Sequence, residues 1–158
     1  MRKQLLLIAA LLATPAAAQL PGLSRRGTPA PPVVQNPLEV MRADFAAQSG
    51  GTTIYFTPGG AGLTRQAQLT LAAQAMWLRQ HPFVAVRIEG RGDPTDTRDH
   101  ALALGAERAA QVRDYLVLLG IPAAQVTTMT WGKERPGPPS TTTTLQDLGG
   151  PPLIPAAG

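Results

Sequence analysis

The sequence predicts an α/β fold, an α+β two-layer sandwich in which helices pack on a sheet. Two observations support this class. Of the 16 prolines, five lie in residues 19–37 and six in residues 136–158, so the segment between these flanks is the part suited to regular structure. Within that segment, strand-like and helix-like patterns alternate in the order β-α-β-α-β. The segment is long enough to bury a core of its own.

The N-terminal flank has the features of a secretory signal followed by a linker. A basic start precedes an apolar run, Leu5–Ala13, that is too short to span a bilayer, and an Ala-x-Ala cleavage site ends at Ala18. We therefore predict a signal peptide over residues 1–18 and a proline-rich linker over residues 19–37. We expect a periplasmic protein, associated with the cell wall or the outer membrane, without a transmembrane segment after cleavage.

The first half of the domain, which we place at residues 38–136, is predicted to hold two helices and a strand. Leu38–Gln48 has a helical pattern and ends at a Ser-Gly-Gly turn. Thr52–Phe56 is rich in β-branched and aromatic residues, which is typical of strands. Thr64 can cap a helix that runs to about Gln80, with apolar residues at 4-4-3 spacing.

The second half is predicted to hold two strands and a long helix. Phe83–Glu89 has the alternation of a strand, with Val84, Val86 and Ile88 on one face, and a polar loop follows it over residues 90–99. The helix covers about Asp99–Leu119 and is ended by a glycine, and Val126–Trp131 is the third strand. Residues 137–158 are rich in proline and threonine, so we predict a low-complexity, disordered tail.

Composition excludes several classes of site. The chain has no cysteine, which excludes disulfides, thiolate metal ligands and a cysteine nucleophile, and we expect no lipid anchor on a cysteine after the signal. The formal net charge of +4 falls to about +2 once Arg2 and Lys3 leave with the signal peptide. Because no basic run with interleaved aromatic residues remains, we expect no nucleic-acid partner.

Catalytic and metal-binding groups are scarce. Both histidines fall at helix ends, and the only serine and the only lysine of the domain have no candidate base near them in the sequence. Asp93, Asp96 and Asp99 lack the alternate spacing and the distal glutamate of a calcium loop. We therefore expect neither enzymatic activity nor a bound metal, and nothing in the sequence indicates a cofactor.

Asp93 and Arg108 are the most promising pair of charged residues. Asp93 follows the second strand and Arg108 lies about two turns into the following helix, so both can reach one cleft mouth. A carboxylate beside a guanidinium can hold a zwitterion, because the carboxylate takes an ammonium group and the guanidinium takes a carboxylate. The alternative is a structural salt bridge, and the pattern alone favours this second interpretation.

A set of short segments occurs in a characteristic order and spacing. The segments are Phe56-Thr57-Pro58, Leu63-Thr64, Ile88–Asp93, Ala103–Ala109, Val112–Leu116, Gly120-Ile121 and Trp131–Pro136. Together they cover about 80 residues and resemble the OmpA-like peptidoglycan-associated domain, most closely its Pal branch. The resemblance implies non-covalent binding of peptidoglycan and the same α/β fold.

The resemblance also implies which residues bind. In that family an aspartate and an arginine hold the diaminopimelate of the peptide stem, and by position they correspond to Asp93 and Arg108, with Arg91 and Thr97 as candidates for additional contacts. Diaminopimelate suits the pair, because its side-chain terminus carries both an ammonium and a carboxylate group. Peptidoglycan is therefore the expected partner, and other envelope proteins are further candidates.

The chain departs from the family pattern at functional and structural positions. The family histidine is Arg91 here, and the asparagine before the Leu-Gly motif is Ala101. These departures support an alternative function, a degenerate OmpA-like scaffold that acts as a protein-interaction module without binding peptidoglycan. In that case Asp93 and Arg108 remain as a salt bridge.

The family's final strand, with its Asn-Arg-Arg-Val motif, has no recognisable counterpart after Pro136. Either the sheet lacks this strand, or another segment replaces it. The only pairs of large apolar residues in the flanks are Val33-Val34 and Leu153-Ile154. A missing strand would expose unpaired backbone groups at the sheet edge and weaken the domain.

Overall fold

A computed structural model of the chain describes residues 36–147. The predicted signal peptide, nearly all of the predicted linker and the two apolar pairs of the flanks lie outside the described residues, so those assignments stay predictions. The described part contains, in chain order, α1 (Pro37–Gln48), β1 (Thr53–Tyr55), α2 (Arg65–Gln80), β2 (Val84–Arg91), α3 (Arg98–Leu118), β3 (Val126–Gly132) and β4 (Ser140–Asp147), with a 3₁₀ turn (Ala123–Gln125) before β3.

This order of elements confirms the predicted α/β class. The three predicted helices and the first three predicted strands occur with boundaries that differ by no more than about two residues from the structure. Each helix begins at a polar residue whose side chain accepts a hydrogen bond from a backbone amide: Asn36 from Leu38, Thr64 from Ala67 and Thr97 from His100. Such caps satisfy amides that have no partner within the helix, which is why the sequence signals locate the helices well.

The four strands form one sheet in the order β1-β4-β2-β3. β4 runs antiparallel to both of its neighbours, whereas β2 and β3 are parallel. The strand residues that enter the core, among them Ile54, Val86, Ile88 and Leu145, come from one face of the sheet, against which the helices pack. Because β2 and β3 are parallel, their carboxyl ends lie at the same end of the sheet. α3 begins at that end, after the short segment that follows β2.

β4 corrects the prediction for the C-terminal flank. The sequence predicts a disordered tail over residues 137–158 and does not decide whether the sheet has a final strand. The structure shows that residues 140–147 form that strand, in the middle of the sheet, so the domain extends at least to residue 147 rather than ending at residue 136.

The polar composition of β4 explains why it was missed. Thr141, Thr143 and Leu145 alternate along the strand and are buried, yet only one of them is apolar. Threonine is β-branched and suits a pleated strand, and the buried Thr143 hydroxyl donates to the Gln74 side chain at 2.9 Å. The strand is stable because neighbours on both sides pair with its backbone, and the sequence alone does not show those neighbours.

Glycines allow α3 to approach the sheet closely. A Cβ atom on Gly90 of β2 would lie 1.9 Å from the carbonyl oxygen of Gly105 in α3, and one on Gly92 would lie 2.2 Å from that of Ala101. These distances are far below any real contact, so the helix and strand backbones touch only because side chains are absent here. No helix in the described part of the chain is long and apolar enough to cross a membrane.

Candidate functional site

The fold brings Asp93 and Arg108 into direct contact. Asp93 follows β2 and Arg108 lies in the middle of α3, and their side chains form an ion pair with 2.7 Å between Nη2 and Oδ1. Arg108 has no exposed surface and Asp93 is 5% exposed. A buried charged group is costly unless it is paired and hydrogen-bonded, so the surroundings of the pair decide what it can do.

Backbone carbonyl groups satisfy most of the Arg108 guanidinium. Its Nε donates to Gly60 O at 2.8 Å, its Nη1 to Arg91 O at 2.8 Å, and its Nη2 to Thr57 O at 3.2 Å in addition to Asp93. The guanidinium also lies over the ring of Phe56, 5.4 Å from its centroid. Arg108 therefore joins the end of β2 to the residues that follow β1.

Asp93 is held as a carboxylate by donors on both of its oxygens. Oδ2 accepts a hydrogen bond from the backbone amide of Gly59, while Oδ1 accepts from Arg108. Burial by itself would raise the pKa of Asp93, but these two hydrogen bonds and the guanidinium charge outweigh it and lower the pKa below its usual value of 3.8. Asp93 is thus ionised at neutral pH.

Three backbone partners of the pair come from residues 57–60, here named the 57–60 loop. In the sequence, Pro58-Gly59-Gly60 indicates only a break between elements. The 57–60 loop contributes to the ion pair one N–H group, from Gly59, and two C=O groups, from Thr57 and Gly60. Backbone groups of this kind occur in almost every residue type, so they leave no specific mark in the sequence. The only sequence signal was the turn-forming Pro-Gly-Gly itself, which indicates a bend but not what the bend contacts.

The two residues considered for additional contacts lie beside the pair, but their side chains already have other partners. The Arg91 carbonyl accepts from Arg108, while its half-buried side chain reaches Pro136 O at 3.5 Å. The Thr97 hydroxyl accepts the amide of His100 at 3.4 Å as the cap of α3. A contact from either side chain to a ligand stays a prediction.

Further polar contacts tie the segment between β2 and α3 to the segment between β3 and β4. Lys133 Nζ donates to Asp96 O at 2.7 Å, and Arg98 pairs with Glu134 at 3.0 Å. The Asp96 carboxylate lies 3.5 Å from His100. Among the described residues, no three His, Asp or Glu side chains lie close enough together to hold a metal ion.

A second buried carboxylate lies on the sheet at Glu89. It accepts hydrogen bonds from the Trp131 indole at 3.0 Å and from Arg135 at 2.8 Å, and Arg87 pairs with its other oxygen at 3.3 Å. Arg135 also stacks on Trp131, 4.0 Å from the ring centroid. This cluster fastens the segment after β3 to the sheet.

Comparison with protein families and curated proteins gives consistent matches. The family model described as the OmpA family matches residues 55–147. The chain is 43% identical over 86 residues to the peptidoglycan-associated lipoprotein of Agrobacterium fabrum, covering 54% of this chain and 49% of that protein. It is 38% identical over 94 residues to the protein of the same name from Pseudomonas aeruginosa, covering 60% of this chain and 55% of that protein. The chain spans about half the length of the curated relatives it matches.

Solved structures share the fold. The crystal structure of the peptidoglycan-associated lipoprotein from Burkholderia pseudomallei superimposes with a TM-score of 0.59 at 30% identity, over 61% of this chain and 92% of that one. The C-terminal domain of Helicobacter pylori MotB superimposes with a TM-score of 0.54 at 16% identity, over 59% of this chain and 81% of that one. The second similarity concerns the fold alone.

Proposed function

The chain belongs to the OmpA family, and from this membership we propose that it associates non-covalently with peptidoglycan as a protein of the cell envelope. The family is not an enzyme family, in agreement with the predicted absence of enzymatic activity. The relatives at 38–43% identity are named for their association with peptidoglycan. A periplasmic location and contacts with other envelope proteins are part of the proposal.

The finer proposal is that Asp93 and Arg108 bind the diaminopimelate of the peptide stem. The observation that carries it is the buried ion pair at 2.7 Å, where the ends of β2 and β3 and the 57–60 loop meet. In a site of low exposure, hydrogen bonds to charged groups are shorter and stronger than those between neutral groups. The two side chains thus offer a strong acceptor and a strong donor within one ligand's reach.

The charge balance of the pair favours a zwitterion over a singly charged ligand. One carboxylate and one guanidinium cancel, so a ligand with only one charge would leave a net charge in a poorly hydrated place. The free end of diaminopimelate carries an ammonium and a carboxylate on one carbon atom. Its binding would keep the site neutral while giving each protein group an ionic partner.

The scaffold hypothesis remains the second candidate, and one observation favours it. Both oxygens of Asp93 and the three nitrogens of the Arg108 guanidinium already have partners within the chain. A pair satisfied in this way can serve the fold alone, by joining β2, α3 and the 57–60 loop. Binding experiments separate the two functions.

The test is co-sedimentation of the purified chain with isolated diaminopimelate-type peptidoglycan, at low salt and at about 0.3 M salt, where surface charges are largely screened. Asp93→Asn keeps the side-chain volume but removes the charge that would bind an ammonium. We expect this variant to bind roughly ten- to a hundredfold more weakly, the effect of losing a hydrogen bond to a charged group. Asp114→Asn, an exposed site on α3, is the matched control and should bind like the unmodified chain.

Circular dichroism first establishes that each variant is folded. If the folded, unmodified chain fails to sediment with peptidoglycan in salt, the proposed function is wrong and the scaffold hypothesis stands. If Asp93→Asn sediments as well as Asp114→Asn, peptidoglycan binds elsewhere on the chain and the assignment to the ion pair is wrong.

A further inference from the structure

The 57–60 loop offers the ion pair the same kinds of groups that a zwitterion would offer. The Gly59 amide donates to Asp93, where an ammonium group would donate. The carbonyl oxygens of Thr57 and Gly60 accept from Arg108 at 3.2 and 2.8 Å, where a carboxylate would accept. One donor and two acceptors of the loop thus match one ammonium and the two oxygens of one carboxylate.

This match creates a conflict with ligand binding. Arg108 is fully buried and Asp93 nearly so. The loop contacts both side chains and contributes to burying them. The fourth partner, Arg91 O, belongs to the end of β2 and is fixed by the sheet. Of the groups around the pair, those of the loop are therefore the ones that a ligand could replace.

We propose that the 57–60 loop is an internal competitor that occupies the ligand position and is displaced when the ligand binds. The inference rests on the proposed function, since it concerns the same site. It assigns Thr57, Gly59 and Gly60 to the binding site through their backbone groups. It also makes the affinity of the site depend on how stable the closed loop is.

Most of the loop lies at the protein surface. Thr57, Pro58 and Gly59 are exposed, and a Cβ atom on Gly59 or Gly62 would have no neighbour within 4 Å. The loop also borders a cleft between β1 and the first half of α2, whose surface is mostly apolar.

The loop would lower the apparent affinity by a simple equilibrium. Only chains with an open loop can bind, so the apparent dissociation constant is the intrinsic one divided by the open fraction. A change that destabilises only the closed loop should therefore tighten binding, which is the opposite of what most substitutions in a binding site do. An increase in affinity identifies the loop as a competitor of the ligand, whereas a decrease identifies it as a structural part of the site.

Gly59→Ala provides such a change. Gly59 has φ of +70°, a conformation that strains any residue with a Cβ atom, and the added methyl group meets no other atom. Gly50→Ala is a closely matched control, because Gly50 has φ of +69°, equally open surroundings and a position between α1 and β1, outside the site. Both variants are compared with the unmodified chain by circular dichroism and by titration with a soluble muropeptide that contains diaminopimelate.

We expect Gly59→Ala to bind the muropeptide about three- to tenfold more tightly than the unmodified chain, and Gly50→Ala to bind equally. Unchanged or weaker binding by a folded Gly59→Ala overturns the inference but leaves the proposed function intact, since the unmodified chain still binds. Absence of binding by the unmodified chain overturns both.

The unmodified chain offers an independent measurement. In the NMR spectrum, the Gly59 amide should be protected from hydrogen exchange by its bond to Asp93. At saturating muropeptide this protection should be lost and the resonance should shift. An amide that keeps both its protection and its chemical shift in the saturated complex contradicts displacement of the loop, whatever the variants do.

Discussion

Arg108 illustrates at the scale of single residues how a charged group can lie inside a small domain. Its guanidinium has no exposure, and one carboxylate together with three backbone carbonyls compensates for the lost water. Removing one partner of a buried ion pair typically costs about 3–5 kcal/mol, because the other charge is left alone. Arg108→Ala would remove every donor of the guanidinium and leave the Asp93 carboxylate without its ionic partner, whereas Asp93→Asn keeps an oxygen that can accept from Arg108. Asp93→Asn is therefore the less disruptive probe of function.

The lowered pKa of Asp93 predicts a dependence of stability on acid. Since the folded-state pKa lies below the ordinary value of 3.8, the unfolded chain binds a proton more readily, and the ion pair stabilises the fold at every pH above that value. This stabilisation should be lost as the pH falls through 3.8 towards the folded-state pKa.

Urea unfolding at a series of pH values measures this effect. The difference in free energy of unfolding between the unmodified chain and Asp93→Asn should be constant near neutral pH and shrink in acid. Hydrogen bonds from Trp77 and Gln48 lower the pKa of Asp44 as well, but Asp44 is present in both chains and cancels in the comparison. A difference that stays constant down to acid unfolding would contradict the lowered pKa of Asp93.

At the scale of elements, β4 shows that a central strand can be largely polar. Its buried face carries two threonines and one leucine, and the hydroxyl of Thr143 is satisfied by Gln74, which in turn donates to Gly51 O at 3.1 Å. This chain of hydrogen bonds connects β4, α2 and the turn before β1. A buried network of this kind stabilises the fold while each member keeps its partner.

Thr143→Val tests this chain of hydrogen bonds. Valine has nearly the same shape as threonine but cannot donate, so the Gln74 oxygen would remain buried without a partner, at a cost of about 1–3 kcal/mol. Thr144→Val is the control on the opposite, half-buried face of the same strand, where a change within about 0.5 kcal/mol is expected. Denaturant unfolding of both variants gives the comparison, and equal stabilities would show that the hydrogen bond contributes nothing.

At the scale of the whole molecule, the sheet order makes the fold depend on its C-terminal strand. Within residues 36–147, β1 pairs only with β4, and β2 has β4 as one of its two neighbours. Leu145 of β4 belongs to the core. The site depends on the pairing of β1 with β4. The residues that follow β1 supply partners of Asp93 and Arg108, and this pairing holds β1 in the sheet.

Truncation tests this dependence. A chain ending at Pro139 loses β4, and we expect it to lose cooperative thermal unfolding, because β1 then has no neighbour and the core loses Leu145. A chain ending at Gly150 retains β4 and should unfold as the full chain does. If the chain ending at Pro139 still unfolded cooperatively at a similar temperature, the central position of β4 would be wrong.

Much of the fold and part of the site were predictable from the sequence. The helices and the first three strands were located correctly because caps, turn glycines and apolar periodicity act between near neighbours in the chain, as Thr64, Gly120 and the Phe83–Glu89 alternation illustrate. The resemblance to the OmpA-like domain and the order of strand, loop and helix also placed Asp93 beside Arg108. These are consequences of local chemistry and of chain order.

The tertiary structure decided three things that this local chemistry does not contain. It made the Ser140–Asp147 strand the centre of the sheet, because backbone pairing on two sides and one side-chain partner compensate for its polarity. It buried Arg108 completely, and it selected backbone groups of the 57–60 loop as partners of the ion pair. The sequence alone determined which residues are available and where the three helices and the strands β1, β2 and β3 form. Contacts between residues far apart in the chain, through backbone groups common to all residue types, could be recognised only in the folded molecule.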